Sequence, residues 1–121
     1  MKNTTATIGS EGEAIVAGYL ESSGYLILER NTRFGRYEID IVAQDTTRDM
    51  IVFVEVKSRH TFDPAYPIRC AVDQRKRRAL RQAVARWVNH HQYTGSGRID
   101  VVSVADGSVV EHLMDFGSDF Y

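Results

Sequence analysis

The sequence predicts an α/β sandwich in which a helix, three strands, a second helix and two further strands follow one another. Three observations carry this reading. Tyr37–Ala43 and Ile51–Lys57 alternate charged and apolar residues with the period of two that belongs to half-buried strands. Ala79, Leu80, Ala83, Val84, Trp87 and Val88 recur at three- and four-residue spacings, which is one apolar stripe of a helix. Asp106-Gly107 between two alternating segments is a strong hairpin signal. At 121 residues, with 43% hydrophobic and 26% charged, the chain suits one domain with a modest core.

Taken in order, Met1–Gly9 reads as a loose tail. Ser10-Glu11-Gly12-Glu13 fits a capping box that starts a helix running to Ser23, with Gly24 as its stop. Tyr25–Glu29 reads as a short strand, and Asn31–Arg36 as the turn into the central hairpin. The polar segment Gln44–Met50 joins the two alternating runs. Ser58–Cys70 is expected to be a loop, because Pro64 and Pro67 cannot donate to a ladder. The second helix spans Val72–His91 and ends before Gly95-Ser96-Gly97. Arg98–Ala105 and Ser108–Met114 form the last hairpin, and residues 115–121 a second tail.

A central hairpin folded symmetrically about Thr47 and Arg48 sorts its side chains. Ile39, Ile41 and Ala43 then face Val56, Val54 and Val52, an apolar face. Val42, Asp40 and Glu38 face Phe53, Glu55 and Lys57 on the other. Like charges directly opposite each other destabilise a strand pair, so Asp40 and Glu55 call for a cation between them. Lys57 supplies part of that relief. A hard divalent ion such as Mg²⁺ does so better, since it prefers carboxylate oxygens. Without an ion, Asp40 and Glu55 are two solvated strand carboxylates, and Lys57 makes a surface ion pair with Glu38 of little worth.

Charge is unevenly spread. The net charge is −1, yet no acidic residue occurs from Gln74 to Ile99 while seven basic ones do. Arg75, Lys76, Arg78 and Arg81 in that stretch, with Arg59 beyond the third strand, are candidate phosphate contacts; a solvated helix face is the alternative. Other classes lack their signatures. No apolar run approaches the roughly 20 residues of a membrane span, and Met1–Ser10 has no signal-peptide core. Cys70 is the sole cysteine, which excludes an internal disulfide and a multi-cysteine zinc site. His60, His90, His91 and His112 show no zinc spacing. No nucleophilic triad order or glycine-rich phosphate loop is present. A cytoplasmic location without a membrane partner is the expectation.

Ile39-Asp40 followed by Glu55-Val56-Lys57 resembles the two-part signature of the PD-(D/E)XK nuclease superfamily. Glu13-Ala14, Gly24-Tyr25, Arg30-Asn31, Glu38-Ile39-Asp40 and Phe53–Arg59 together resemble the YraN-like proteins, predicted endonucleases related to archaeal Holliday-junction resolvases. The resemblance covers about residues 9–105. It implies a restriction-endonuclease-like αβββαβ core, a mixed sheet flanked by helices, here with an extra C-terminal hairpin strand. It implies metal-dependent phosphodiester hydrolysis with Mg²⁺ or Mn²⁺, on branched or structured DNA, by a homodimer. Asp40 and Glu55 would hold the metal with the Val56 carbonyl. Glu13 matches a helical glutamate that approaches the site in resolvases, although a capping box explains it equally well. Glu38 belongs to the YraN-like motif, and Gln74 matches a polar residue at the start of the following helix. A glycine ordinarily precedes the motif's Glu; this chain has Tyr37. A binding module with a silent site, or a protein-interaction domain, are the alternative readings.

Overall fold

The fold is known from a computed structural model that describes residues 5–59, 64–65 and 72–114, with α1 side chains from Ser10 onward. Its elements are α1 (Thr5–Ser22), β1 (Tyr25–Phe34), β2 (Tyr37–Asp45), β3 (Met50–Arg59), α2 (Gln74–His91), β4 (Gly97–Ala105) and β5 (Ser108–Leu113). The five strands form one mixed sheet in chain order. All neighbours are antiparallel except β3 and β4, and that parallel pair needs a crossover, which α2 provides. This is the α/β architecture expected of a restriction-endonuclease-like core with added C-terminal strands.

Each helix covers its own core. Val16, Ala17 and Leu20 of α1 pack on Ile41, Ala43, Val52, Val54, Val102 and Val104. Leu80, Ala83 and Trp87 of α2 pack on Ile39, Val42, Ile51, Phe53, Ile99 and Val101. The central strands are therefore buried on both faces, and β4 reads as a nearly continuous apolar run for that reason. Trp87 lies in this core against Phe53, with its indole N–H donated to Glu29. Among the described residues no helix is long and apolar enough to cross a membrane.

Several boundaries differ from the sequence reading. Helix α1 begins at Thr5, so Ser10 lies inside it and forms no capping box. Within a helix the Glu13 N–H already has a carbonyl partner one turn back, leaving Ser10 no orphan donor to satisfy. Strand β1 continues through Asn31 to Phe34, because β2 pairs with it as far as Phe34↔Tyr37. Only Gly35 and Arg36 turn the chain, with Gly35 at φ +63°. Strand β3 runs on to Arg59, since β4 pairs with it up to Ala105. Helix α2 starts at Gln74 with Asp73 as its cap, the carboxylate accepting the Lys76 N–H at 2.9 Å. Residues 1–4, the tail expected over residues 115–121 and most of the loop expected over residues 58–70 lie outside the described residues.

A buried polar network ties the ends of several elements together. Arg98 donates to Asp100 at 2.9 Å, to Asp45 at 2.9 Å and to the Tyr25 hydroxyl at 2.8 Å. His112 joins Asp100 at 2.8 Å and Tyr19 at 2.7 Å. Burial pulls the Asp45 carboxyl upward, but hydrogen bonds from Arg98 and Arg48 overcome this and hold it at about 2.

Removing Arg98 should leave buried Asp45 with only the exposed Arg48 and buried Asp100 with only His112. Arg98→Met is expected to lose about 3–5 kcal/mol of stability in urea denaturation at neutral pH. The wild-type network also has an acid limit. The stability supplied by Asp45 is present above its unfolded value of 3.8 and is lost as pH falls through about 2.

Candidate active site

The β2–β3 ladder holds the expected register from Asp45↔Met50 to Ile41↔Val54, and stops there on the side toward Asp40. Beyond it the Asp40 carboxylate, not a backbone carbonyl, accepts the Val56 N–H at 2.8 Å. The strands part around this side chain. Strict alternation would place Ile39 beside Ile41 and Ala43, yet Ile39 packs with Val42 in the α2-side core. The apolar and acidic faces expected for the hairpin are thus correct up to Ile41 and corrected beyond it. An extended strand cannot turn two successive side chains to the same layer without such a local break.

On the α1 side of the break, Glu38 and Asp40 meet Glu13. Carboxylate oxygens of the three lie within 4.8 Å of one another. The neighbouring strand adapts too. Arg30↔Ile41 and Thr32↔Ile39 pair normally, while Asn31 between them sits at φ +54°, a left-handed conformation that asparagine tolerates. The Asn31 side chain hydrogen-bonds Glu13 and lowers its proton affinity. Burial and the Asp40 charge prevail, and the Glu13 carboxyl lies above its ordinary value. With no capping box, the helix start no longer accounts for Glu13.

Glu55 approaches from β3 and is 5% exposed. Its Oε1 lies 3.1 Å from Lys76 Nζ, while its Oε2 is buried with no hydrogen-bond donor. Burial and the charge of Asp40 raise the Glu55 carboxyl to about 8, although Lys76 opposes them. Lys76 is itself pushed down by burial, then raised further by Glu55, Asp40 and Glu38. Two neighbouring carboxylates offer only acceptors, so a shared proton or a cation must lie between them. The hard oxygen donors of Glu13, Glu38 and Asp40, with the unpartnered Glu55 oxygen, suit the donor preference of Mg²⁺ or Mn²⁺.

Lys57 is half-buried in β3 opposite Ser103 of β4 and forms no ion pair with any described residue. Glu38 is paired with Arg33 at 3.4 Å, and the Lys57–Glu38 pair, the alternative to a functional lysine, is not formed. Val56 offers its N–H to Asp40. Gln74 is exposed at the first position of α2, and Arg75 and Arg78 are exposed beyond it, with Arg81 half-buried. Arg59 is turned inward, its side chain 13% exposed and 3.9 Å from Glu111. Sequence reasoning missed Asn31 and the role of Lys76 as the partner of Glu55. The first stands in the Arg30-Asn31 motif of the resemblance but reads as the start of a turn; the second arises only when α2 docks.

The Glu55 environment has a consequence for stability without metal. Below about 4.5 the carboxyl is protonated in both states. Between 4.5 and about 8 the unfolded chain ionises while the folded site stays protonated, so stability falls as pH rises. Urea denaturation in EDTA across this range should show that decline, and Glu55→Gln should flatten it.

Known proteins share this chain's sequence over most of its length. Residues 12–104 match the family described as "Uncharacterised protein family UPF0102". A UPF0102 protein of Paenarthrobacter aurescens (strain TC1) is 44% identical, over 89% of this chain and 88% of that one. Another, from Chlorobaculum parvum (strain DSM 263 / NCIMB 8327), is 36% identical over 86% of this chain and 79% of that one. A solved protein of unknown function from Silicibacter pomeroyi is similar over 95% of this chain and 73% of that one, at 15% identity and TM-score 0.41. The matched region runs from the middle of α1 through almost all of β4 and contains every carboxylate of the site, and by this match the chain belongs to the UPF0102 family.

Proposed function

We propose that this protein is a metal-dependent nuclease of the PD-(D/E)XK type that hydrolyses phosphodiester bonds in DNA. The observation that carries the reading is the gathering of Glu13, Glu38 and Asp40 beside a Glu55 oxygen that is buried without a donor. A structural role gives no reason to gather three carboxylates with a fourth acting on Asp40, since each raises the cost of ionising its neighbours.

In this reading Asp40 and Glu55 hold Mg²⁺ or Mn²⁺, with Val56 contributing backbone and Glu13 and Glu38 further oxygens. The ion supplies Lewis acidity and a more acidic water. Lys57, two residues from Glu55 along β3, orients the attacking water or offsets charge growing on the scissile phosphate. Asn31 keeps Glu13 directed into the cluster. Gln74 lies near the substrate, and Arg75, Arg78 and Arg81 draw the phosphate backbone toward α2. The similarity of the sequence motif to junction resolvases favours branched DNA as substrate and a two-fold dimer as the acting form. A second reading, a nucleic-acid-binding module without turnover, draws on the Lys76 ammonium already paired with Glu55.

The test is cleavage of a labelled panel of four-way junction, flap, duplex, single strand and structured RNA with Mg²⁺ or Mn²⁺. Lys57→Ala and Asp40→Asn should each reduce cutting by at least about 100-fold. Cutting that persists in Lys57→Ala would remove the assignment of that lysine. Metal binding without cutting of any substrate would favour the silent module.

A further inference from the structure

Outside the carboxylate cluster, a groove of about 480 Å³ lies between the β1–β2 turn and α2. Arg36 and Tyr37 form one wall, and Arg75, Arg78, Arg81 and Gln82 the other. No described residue lining it is acidic. Arg75, Arg78 and Gln82 fall on one stripe of the helix at three- and four-residue spacings. Arg86 continues that stripe and lies over the Tyr37 ring at 4.9 Å, while Arg36 lies over the same ring at 5.3 Å. Arg36 also donates to the Tyr37 hydroxyl at 3.3 Å.

The arrangement works against the helix that carries it. Like charges one turn apart repel, and cations in a first turn oppose the positive end of the helix dipole. The cap Asp73 and the Glu55 partner of Lys76 offset part of this charge, but the first turn of α2 itself holds no acidic residue, and Arg75 and Arg78 form no ion pair with any described residue. A sequence that breaks local rules in this way has its compensation elsewhere, and for a stripe of one sign that compensation is an anion. Two walls of guanidinium groups, at the spacing of a groove rather than a point, suit a chain of phosphates rather than a single small anion.

We infer that Arg36, Tyr37 and the Arg75–Arg78 stripe form a phosphate-binding groove that holds the backbone of a nucleic-acid strand beside the carboxylate site. Tyr37 is the positioning residue. Its ring lies beneath Arg36 from the turn and Arg86 from the helix, so the turn becomes a second cationic wall. The link to the carboxylates is Lys76, next to Arg75 on α2, whose Nζ lies 3.1 Å from Glu55, and Glu38 follows Tyr37 in β2. The inference rests on the nuclease reading only for what happens at the next phosphate along the strand.

The experiment measures binding of a fluorescent oligonucleotide, single-stranded and duplex, by anisotropy in EDTA over a salt series. Arg36→Gln in the turn and the double variant Arg75→Gln/Arg78→Gln, which keeps helix propensity nearly unchanged, all lie at the surface. Each should weaken binding and reduce the slope of log affinity against log salt by about 0.7–0.9 for every phosphate no longer neutralised. Tyr37→Leu, which keeps the apolar packing, should weaken binding in the same direction. Mn²⁺ binding, followed by calorimetry, should be unaffected in the arginine variants. Affinity and slope equal to wild type in the double variant would overturn the groove. Groove-dependent binding in a protein that neither takes up Mn²⁺ nor cuts would sustain the groove and remove the nuclease reading instead.

Discussion

The Asp40 carboxylate stands where a backbone carbonyl should, and the site follows from that substitution. By accepting the Val56 N–H it ends the β2–β3 ladder after Ile41↔Val54 without leaving the amide unsatisfied. The strands can then part. Ile39 moves to the α2-side core, Glu38 and Asp40 turn to Glu13, and Glu55 remains on the side from which Lys76 reaches it. The hydrogen bond also holds one Asp40 oxygen in place, so the carboxylate is oriented before any ligand arrives.

This opening has to be stabilised from elsewhere, because the site itself opposes folding. A buried Glu55 with an unpartnered oxygen, an acidic cluster around Glu13 and a left-handed Asn31 each cost free energy. The opposite end of the β2–β3 ladder carries the compensating order. Arg98 there satisfies Asp45, Asp100 and Tyr25 together, and His112 links the same group to α1 through Tyr19. Two apolar layers lie between the ends, packed on both faces of β3 and β4. A rigid closed end and a parted open end are thus two parts of one design. The first keeps register so that the second can depart from it.

Much of this was legible in the sequence because it depends on periods. The alternation of Ile41–Ala43 against Val52–Val54 specified the faces of the hairpin, the loop centre at Thr47 and Arg48 its register, and the apolar spacing of Leu80, Ala83 and Trp87 the buried face of α2. The departures were hidden where a period breaks. Nothing in Ile39-Asp40-Ile41 announces that two neighbours will share a side, since an isolated strand would alternate through them. Strand β1 runs past Glu29 because β2 offers it partners, and Arg30 to Arg33 have little strand propensity of their own. The motif Ser10–Glu13 satisfied the pattern of a cap, but the helix had already begun. Lys76 read as one cation in a basic run, and its meeting with Glu55 depends on how α2 docks, which local sequence does not encode.

The two charge fields of the molecule meet at that lysine. On its α2 side stand Arg75 and Arg78; on its sheet side stand Glu55, Asp40 and Glu38, all of which act on its ammonium. A phosphate is attracted by the first field and repelled by the second, so a strand held in the proposed groove would stop short of the carboxylates while they remain uncompensated. Lys76 offsets part of their charge and is half exposed, with its side chain 47% accessible. A divalent cation would offset more, and in the buried surroundings of Glu55 each added charge acts with less screening than at the surface. In the proposed reading, strand approach and metal occupancy are coupled by electrostatics, with no conformational change required: the groove would hold a strand without metal, but bringing a phosphate against Asp40 and Glu38 would require their charge to be met first.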